Sequence, residues 1–585
     1  MSALRDVRHR YNRDRVVLAI LLALTVFATA IRLYQLGARV FYFDEAWFGY
    51  WILQVMERGD WTYRPILHGP FYTRVNSVVF ALLGANDWTA RLVPALMGGG
   101  LPLAAWLYRT RLKRAEVVAL GTILAINPIL LYYSRFMRKD LPLAALMFVT
   151  LGLLIRASDT GQRRYAYGAA FSLGWAFTTK ESVLLWILTW AGAALLVLDR
   201  RLLVARAEAG DGPRGVLATL GQRARTSLSY WGRTVLGAAA TFFVVVIYAY
   251  APRAGVTREV GLWQALTGGF GQLPEIVTAA TVGAARKALD YWISGGIQGH
   301  PYLPYFQDTA RTLIVGALGV CLLGTIGFLW DRYGREVPRD LVGFHAYAGL
   351  AAIVGYPLAN NLPVPWSTTH AVVPLAIPAA VGAVVVLRPV SRVLTAEGTR
   401  TEGERVLRAM LAVILIGSLV VNAGLVGLQS SYLAPHESPR GDPGSEVIYY
   451  AQPPAELRTP IDAIYGAADP GRDGPDVLYV GDPLTNPFPP PSELPATASW
   501  HLETPLILGR IPFPWYTQAA GAEVKDVATA AGIGPSPPPV VIATPDRRDA
   551  VAATLGTSYE GTRYELDDIG DRVVVVFVDQ SRLRG

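Results

Sequence analysis

Long apolar runs alternate with short, Arg-rich polar joints along most of the chain. Eleven runs stand out, at 16–36, 92–108, 115–133, 141–155, 165–179, 182–198, 234–250, 312–330, 341–356, 371–387 and 409–428. Most approach the roughly 20 residues that a helix needs to cross a hydrocarbon layer about 30 Å thick. The pattern predicts an all-α polytopic membrane domain of about eleven transmembrane helices over 16–430, behind a basic N-terminus at 1–15. Beyond residue 430 the rhythm changes. Short β-rich runs at 446–450, 476–480, 540–543 and 572–578 alternate with helix-compatible stretches at 454–465 and 546–555, and Pro-rich joints fall at 483–495 and 535–539. This predicts a small α/β domain over 431–585.

Charge gives the runs a direction. Arg5, Arg8, Arg10, Arg13 and Arg15 precede the first run, and the positive-inside rule puts that end in the cytoplasm. Alternation then places 109–114, 156–164, 199–233, 331–340 and 388–408 inside. With the N-terminus, these segments hold 27 of the 53 basic residues. The expected protein is a multi-pass protein of the cell membrane, N-terminus cytoplasmic, with an extracytoplasmic C-terminal domain. The apolar stretch 71–84 carries Arg74 and Asn76. It is assigned to an amphipathic helix at the outer interface, inside a first outer loop of 37–90, because a crossing there would turn the basic joints outward.

With 52% hydrophobic and 17% charged residues, an ordinary soluble enzyme is excluded. The net charge of +8 sits in joints beside apolar spans, which points to membrane lipid as partner and not to nucleic acid. The single cysteine, Cys321, lies inside a run, so there is neither a disulfide framework nor a cysteine metal cluster. No P-loop, dinucleotide-binding fingerprint or zincin helix is found, which suits a substrate already activated within the membrane.

The walk delivers most of the chemistry-bearing residues to the outer side. Phe43-Asp44-Glu45-Ala46 places two adjacent carboxylates where the first span leaves the bilayer, a costly position unless the groups are paired or used. A carboxylate there is suited to general-base work, although a loop acid or a helix cap has the same residues. His68-Gly69-Pro70 follows after Trp47, Trp51, Trp61 and Tyr63, and His68 is a candidate substrate ligand or hydrogen-bond partner of the acids. Ser134-Arg135-Phe136-Met137-Arg138-Lys139-Asp140 sets three cations in a short outer turn, against the positive-inside rule. Phosphate recognition gives that violation a reason, and snorkelling to lipid headgroups is the blander one.

Lys180 and Glu181 lie between two runs with almost no loop. Only five of the 53 basic residues are lysines, and Lys139 and Lys180 are two of them, which suggests a need for ammonium groups. Aromatic, Pro-rich loops at 291–308, with Gln298 and His300, and at 360–370, with Trp366 and His370, have the composition of a carbohydrate cleft or of interfacial anchors.

Taken in order, Arg32-Leu33, Phe43-Asp44-Glu45-Ala46, His68-Gly69-Pro70-Phe71, Ala90-Arg91-Leu92-Val93-Pro94, Tyr133-Ser134-Arg135, Asp140 and Thr179-Lys180-Glu181 resemble the GT-C membrane glycosyltransferases. The similarity is closest to the flippase-activity-associated archaeal and bacterial family, related to the protein O-mannosyltransferases (family 39) and the aminoarabinose lipid A transferase. Pro512-Phe513-Pro514-Trp515-Tyr516 resembles a Pro-Trp-Tyr element in the C-terminal region of that family. The resemblance implies a polyprenyl- or dolichyl-phosphate sugar as donor and transfer with inversion to a protein or glycolipid acceptor.

By the same resemblance Asp44 is the general base and Glu45 its neighbour in acceptor binding. Arg135, Arg138, Lys139 and Lys180 hold the donor phosphate, and His68, Asp140, Glu181, Trp366 and His370 line the substrate site. Trp47 stands where the mannosyltransferases usually have histidine after the acid pair. No metal or other cofactor is required by the scheme, although Asp44, Glu45 and His68 have the chemistry to ligate a divalent ion. The alternative to an enzyme is a lipid-linked-oligosaccharide flippase or its associated protein.

Overall fold

The chain was analysed as a computed structural model, which describes residues 2–207, 212–254, 260–294, 301–360, 362–395, 402–433, 447, 452–484, 507–567 and 572–583. Gln298, His300, most of the expected 446–450 strand and most of the 483–495 joint lie outside the described residues. All eleven apolar runs are helical or nearly so. Among the described residues nine helices are long and apolar enough to cross a membrane: Asn12–Leu33, Asp87–Tyr108, Asp140–Thr160, Val183–Arg206, Ser229–Tyr250, Tyr302–Tyr333, Asp340–Ala359, Pro365–Ser391 and Gly403–Leu433.

Two of the eleven expected spans therefore fall short of that measure. The 115–133 run breaks where Pro128 has no N–H to continue the ladder and Asn127 caps a new start, its side chain accepting from the Leu130 amide at 3.1 Å. The 165–179 run forms only the 15-residue Arg163–Phe177 helix, at whose end the Thr178 and Thr179 hydroxyls bond back to the Trp175 and Ala176 carbonyls.

The helix ends segregate into two groups. One end of the bundle joins Arg114 to Asp14 at 2.7 Å, Arg339 to Glu116 at 2.7 Å and Arg200 to Asp340. The opposite end gathers residues 34–76, 134–140, 178–182 and 365–370. There the Phe71 amide bonds the Thr178 carbonyl at 2.8 Å, and the Asn76 side chain bonds the Ala90 carbonyl at 2.8 Å. The 13-residue Phe71–Leu83 helix thus lies across this end, with the Asp87–Ala104 span starting just after it.

The C-terminal domain holds five strands: β1 Val477–Val480, β2 Val524–Val527, β3 Val540–Ala543, β4 Glu560–Glu565 and β5 Val573–Val578. Their order is β2-β1-β3-β5-β4, with β1 parallel to β2 and β3, and β5 antiparallel to β3 and β4. The central strands β1 and β3 are buried on both faces, as their continuous apolar sequences require. One apolar cluster runs without a break from Trp47, Trp51 and Phe80 of the membrane domain to Ile461, Trp515 and Ile542 of this domain. The two share a core.

Candidate active site

The Phe43–Arg58 helix begins with both acids in its first turn, where the helix dipole favours negative charge. From the same start they diverge. Asp44 reaches Arg138, and Tyr42, whose hydroxyl also bonds Arg138, lies 3.3 Å from the Asp44 carboxylate. Arg138 Nε donates to Asp140 Oδ2 at 3.3 Å, while the other oxygen of Asp140 takes Lys180 Nζ at 3.0 Å and lies 3.2 Å from His370 Nε2. The Arg138 guanidinium lies 3.4 Å from the centre of the Trp366 ring. Four distant stretches of chain thus meet in one charged cluster. Burial alone would depress the Arg138 guanidinium, but Tyr42, Asp44 and Asp140 outweigh it and hold it above its ordinary value.

Trp186 Nε1 donates to His370 Nδ1 at 2.9 Å, and Tyr356 stacks on the ring at 4.5 Å. With Nδ1 taken as acceptor, Nε2 carries the proton and donates it to Asp140.

A second group sits beside the first. His68 Nδ1 lies 2.8 Å from Glu181, and Trp292 stacks on its ring at 4.6 Å. Burial pulls His68 below its ordinary value, although Glu181 opposes the shift, so a neutral ring donates to the carboxylate. Lys139 bonds the Leu67 carbonyl, lies 3.4 Å from the centre of the Phe48 ring, and is pulled by burial down to about 7. His68 also lines a small pocket with Trp61, Tyr63, Arg64 and Thr73.

The seam that joins these groups is set by Gly69. Its amide bonds the Thr179 carbonyl at 3.1 Å, and a side chain there would meet the Thr178 carbonyl oxygen at 2.1 Å. Only glycine lets the His68 turn dock on the Lys180-Glu181 turn.

Two expected site residues are placed elsewhere. Glu45 is fully buried and forked by Arg91 at 2.6 and 2.8 Å, and it also accepts the Met137 amide at 2.8 Å. Its oxygens are spent on holding the helix start, which removes it from acceptor binding. Arg135 donates to the carbonyls of Ile31, Arg32, Tyr34 and Gln35, the exposed end of the first helix, and so does not join Arg138. The divalent-ion trio of Asp44, Glu45 and His68 is also split among three different partners, and among the described residues no three His, Cys, Asp or Glu side chains stand close enough to hold a metal.

Comparison with known proteins agrees with this architecture. Residues 67–209 match the family profile described as dolichyl-phosphate-mannose-protein mannosyltransferase. Residues 457–579 match that of the Agl23 flippase-associated protein C-terminal domain. Crystal structures of ArnT from Cupriavidus metallidurans, apo and bound to undecaprenyl phosphate, align over 96% of this chain and 98% of theirs, at 16% identity and a TM-score of 0.51. This is a GT-C membrane glycosyltransferase fold. The oligosaccharyltransferase of Archaeoglobus fulgidus aligns over 96% of this chain and 76% of its own, at 12% identity and a TM-score of 0.49, too slight a likeness to carry an argument. No curated relative matches the chain.

The first matched region spans His68, the three residues 138–140, Lys180 and Glu181. Asp44 stands outside it, joined to it by the Arg138 contact. Tyr42 and Arg91 are the residues that reading the sequence passed over as functional. Arg91 carries the clearer signal, an arginine a few positions into a span, where a charge is expensive unless partnered.

Proposed function

We propose that the chain transfers one sugar from a polyprenyl- or dolichyl-phosphate carrier to an acceptor hydroxyl outside the cytoplasm, with inversion. The carrying observation is the single cluster of Asp44, Arg138, Asp140, Lys180 and His370, a carboxylate facing cations at the end of a membrane bundle. The mannosyltransferase description of residues 67–209, and the undecaprenyl phosphate in the ArnT crystal structure, support a lipid-phosphate donor of this class.

In this reading Arg138, Lys139 and Lys180 draw the donor phosphate, and Asp140 with His370 holds the two longer cations in place. The arriving phosphate competes with Asp44 for Arg138. Freed from that pair, Asp44 takes the proton of the acceptor hydroxyl as its oxygen attacks the anomeric carbon opposite the phosphate. The carbon–oxygen bond to phosphate breaks, and the cations stabilise the departing lipid phosphate. His68, Glu181 and Trp366 are assigned to the sugar, and the scheme routes no step through a metal. The acceptor is a protein or a glycolipid.

The Agl23 flippase-associated description of residues 457–579 favours a second reading, a non-catalytic partner of lipid-linked sugar movement. Purified protein in liposomes with labelled polyprenyl-phosphate sugars separates the two. Transfer to acceptor or water by wild type, lost in Asp44→Asn with polyprenyl phosphate still bound, supports the enzyme. Lipid-linked sugar crossing the bilayer with no transfer by wild type supports the second reading and overturns the first.

A further inference from the structure

The C-terminal domain grips the start of the helix that carries Asp44. Asp87 is buried at the first turn of the Asp87–Ala104 helix, and both its oxygens are taken by that domain. Trp515 Nε1 donates to Oδ1 at 3.0 Å, while Oδ2 accepts from the Tyr516 hydroxyl at 3.1 Å and from Arg458 at 3.0 Å. The Tyr516 oxygen in turn accepts the Phe41 amide at 2.8 Å, three residues before Asp44. The Trp515 ring stacks on Phe41 at 4.8 Å and 12°. The ring also lies against Gly49, five residues after Asp44, where an added side-chain carbon would lie 2.5 Å from it. Gln518 bonds Gln54 at 2.9 Å further along the same helix.

Membrane-domain groups fix the rest of this segment. Arg91 bonds the carbonyls of Leu36 and Arg39 and forks Glu45, next to Asp44. The Asp44 side chain is 27% exposed, between the buried Tyr42 and Glu45. On its N-terminal side Tyr42 is held by Arg138 and, one residue further back, Phe41 is held by residues 515 and 516. Residues 515 and 516 thus place three hydrogen bonds and a stacked ring on one buried carboxylate and the Phe41 residue. They fix a direction, since a base must meet its proton within hydrogen-bond reach, and a displacement of 1 Å costs on the order of 100-fold in rate.

We propose that the C-terminal domain completes the transfer site, with Trp515 and Tyr516 acting as positioning residues that set the place of Asp44 through Asp87 and the Phe41 backbone. This rests on the reading of Asp44 as the base.

The test uses the full-length protein in liposomes. Tyr516→Phe removes one hydroxyl and keeps the ring, and Asp87→Asn removes the charge it serves. Each is expected to lower kcat about tenfold with the donor KM, the binding of polyprenyl phosphate and the thermal midpoint little changed, and the double variant is expected to be no worse than either single one. Backbone hydrogen exchange at Phe41 to Glu45 is expected to quicken in both variants, a readout that requires no turnover. Wild-type exchange and wild-type kcat in both variants would overturn the proposal, as would a parallel loss of kcat and lipid-phosphate affinity. Asp44→Asn serves as the control for the underlying reading. If it transfers sugar normally the base assignment falls. If it is inactive while Tyr516→Phe and Asp87→Asn run at full rate, the positioning proposal alone falls.

Discussion

The two ends of the helix bundle are both rich in ion pairs, yet they spend charge differently. At one end Arg114 and Asp14 face water and Arg111 is 54% exposed in its pair with Asp159, while Arg339 closes on the buried Glu116 and Asp331. At the other end Arg91 and Glu45 are fully buried, and Asp140 is shared among Arg138, Lys180 and His370 at 2% exposure. An exposed pair contributes about 0–1 kcal/mol and can be exchanged freely. A buried pair repays its desolvation only when its geometry is complete, so a chain keeps several of them where position matters more than stability. Fully buried pairing and a carboxylate shared by three partners occur at the second end, in keeping with the proposal that sugar is transferred there.

Mutations break this contrast most sharply at the second end. Asp44→Asn is expected to reduce sugar transfer by about 10²–10⁴-fold, read as initial rate with labelled donor, while thermal unfolding changes little. Arg91→Leu leaves Glu45 charged, buried and alone, and is expected to cost about 3–5 kcal/mol in stability, seen as loss of folded protein in detergent. Pairing that change with Glu45→Leu is expected to restore much of the fold and little of the transfer, because the helix start is no longer held by the fork.

A subtler expectation concerns pH. Burial sets Lys139 at about 7, below its ordinary 10.5, so the unfolded chain binds the extra proton between these values and stability rises with pH across that window. In the folded protein its ammonium is lost as the pH climbs through about 7. The phosphodiester of the donor keeps one charge throughout, so donor affinity is expected to fall as pH rises from 6 to 8. In Lys139→Arg, which stays charged, the slope is expected to flatten; an unchanged slope would separate Lys139 from the donor. The smallest effect is at the opposite end, where Asp14→Ala, in an exposed pair with Arg114, is expected to shift stability by no more than about 1 kcal/mol and to leave transfer kinetics unchanged.

The sequence carried the helical architecture well because apolar runs of bilayer length have few other solutions. It failed where a local signal overrode length, as at Asn127-Pro128. In the C-terminal domain the buried strands β1, β3 and β5 were legible as β-rich runs, while β2, Val-Lys-Asp-Val, and β4, Glu-Gly-Thr-Arg-Tyr-Glu, were not. Both are edge strands whose pairing neighbours lie on one side only, so their polar residues carry no apolar alternation. At the site, the turns that the residue types pointed to are gathered at one end of the bundle. They could not divide labour between Asp44 and Glu45, since adjacency in a helix turns two side chains by about 100° and only Arg91, 46 residues onward, reveals which one faces inward. Nor could they separate Arg138 from Arg135, three positions apart and committed to different tasks.

A structure of the protein with polyprenyl phosphate bound is the most direct test of the central claim that Asp44 and the cations serve one phosphate. The account predicts the phosphate lodged against Arg138 and Lys180, with Asp44 released from Arg138 and turned toward open solvent. Phosphate bound away from both cations, with the Asp44–Arg138 pair intact, would contradict it.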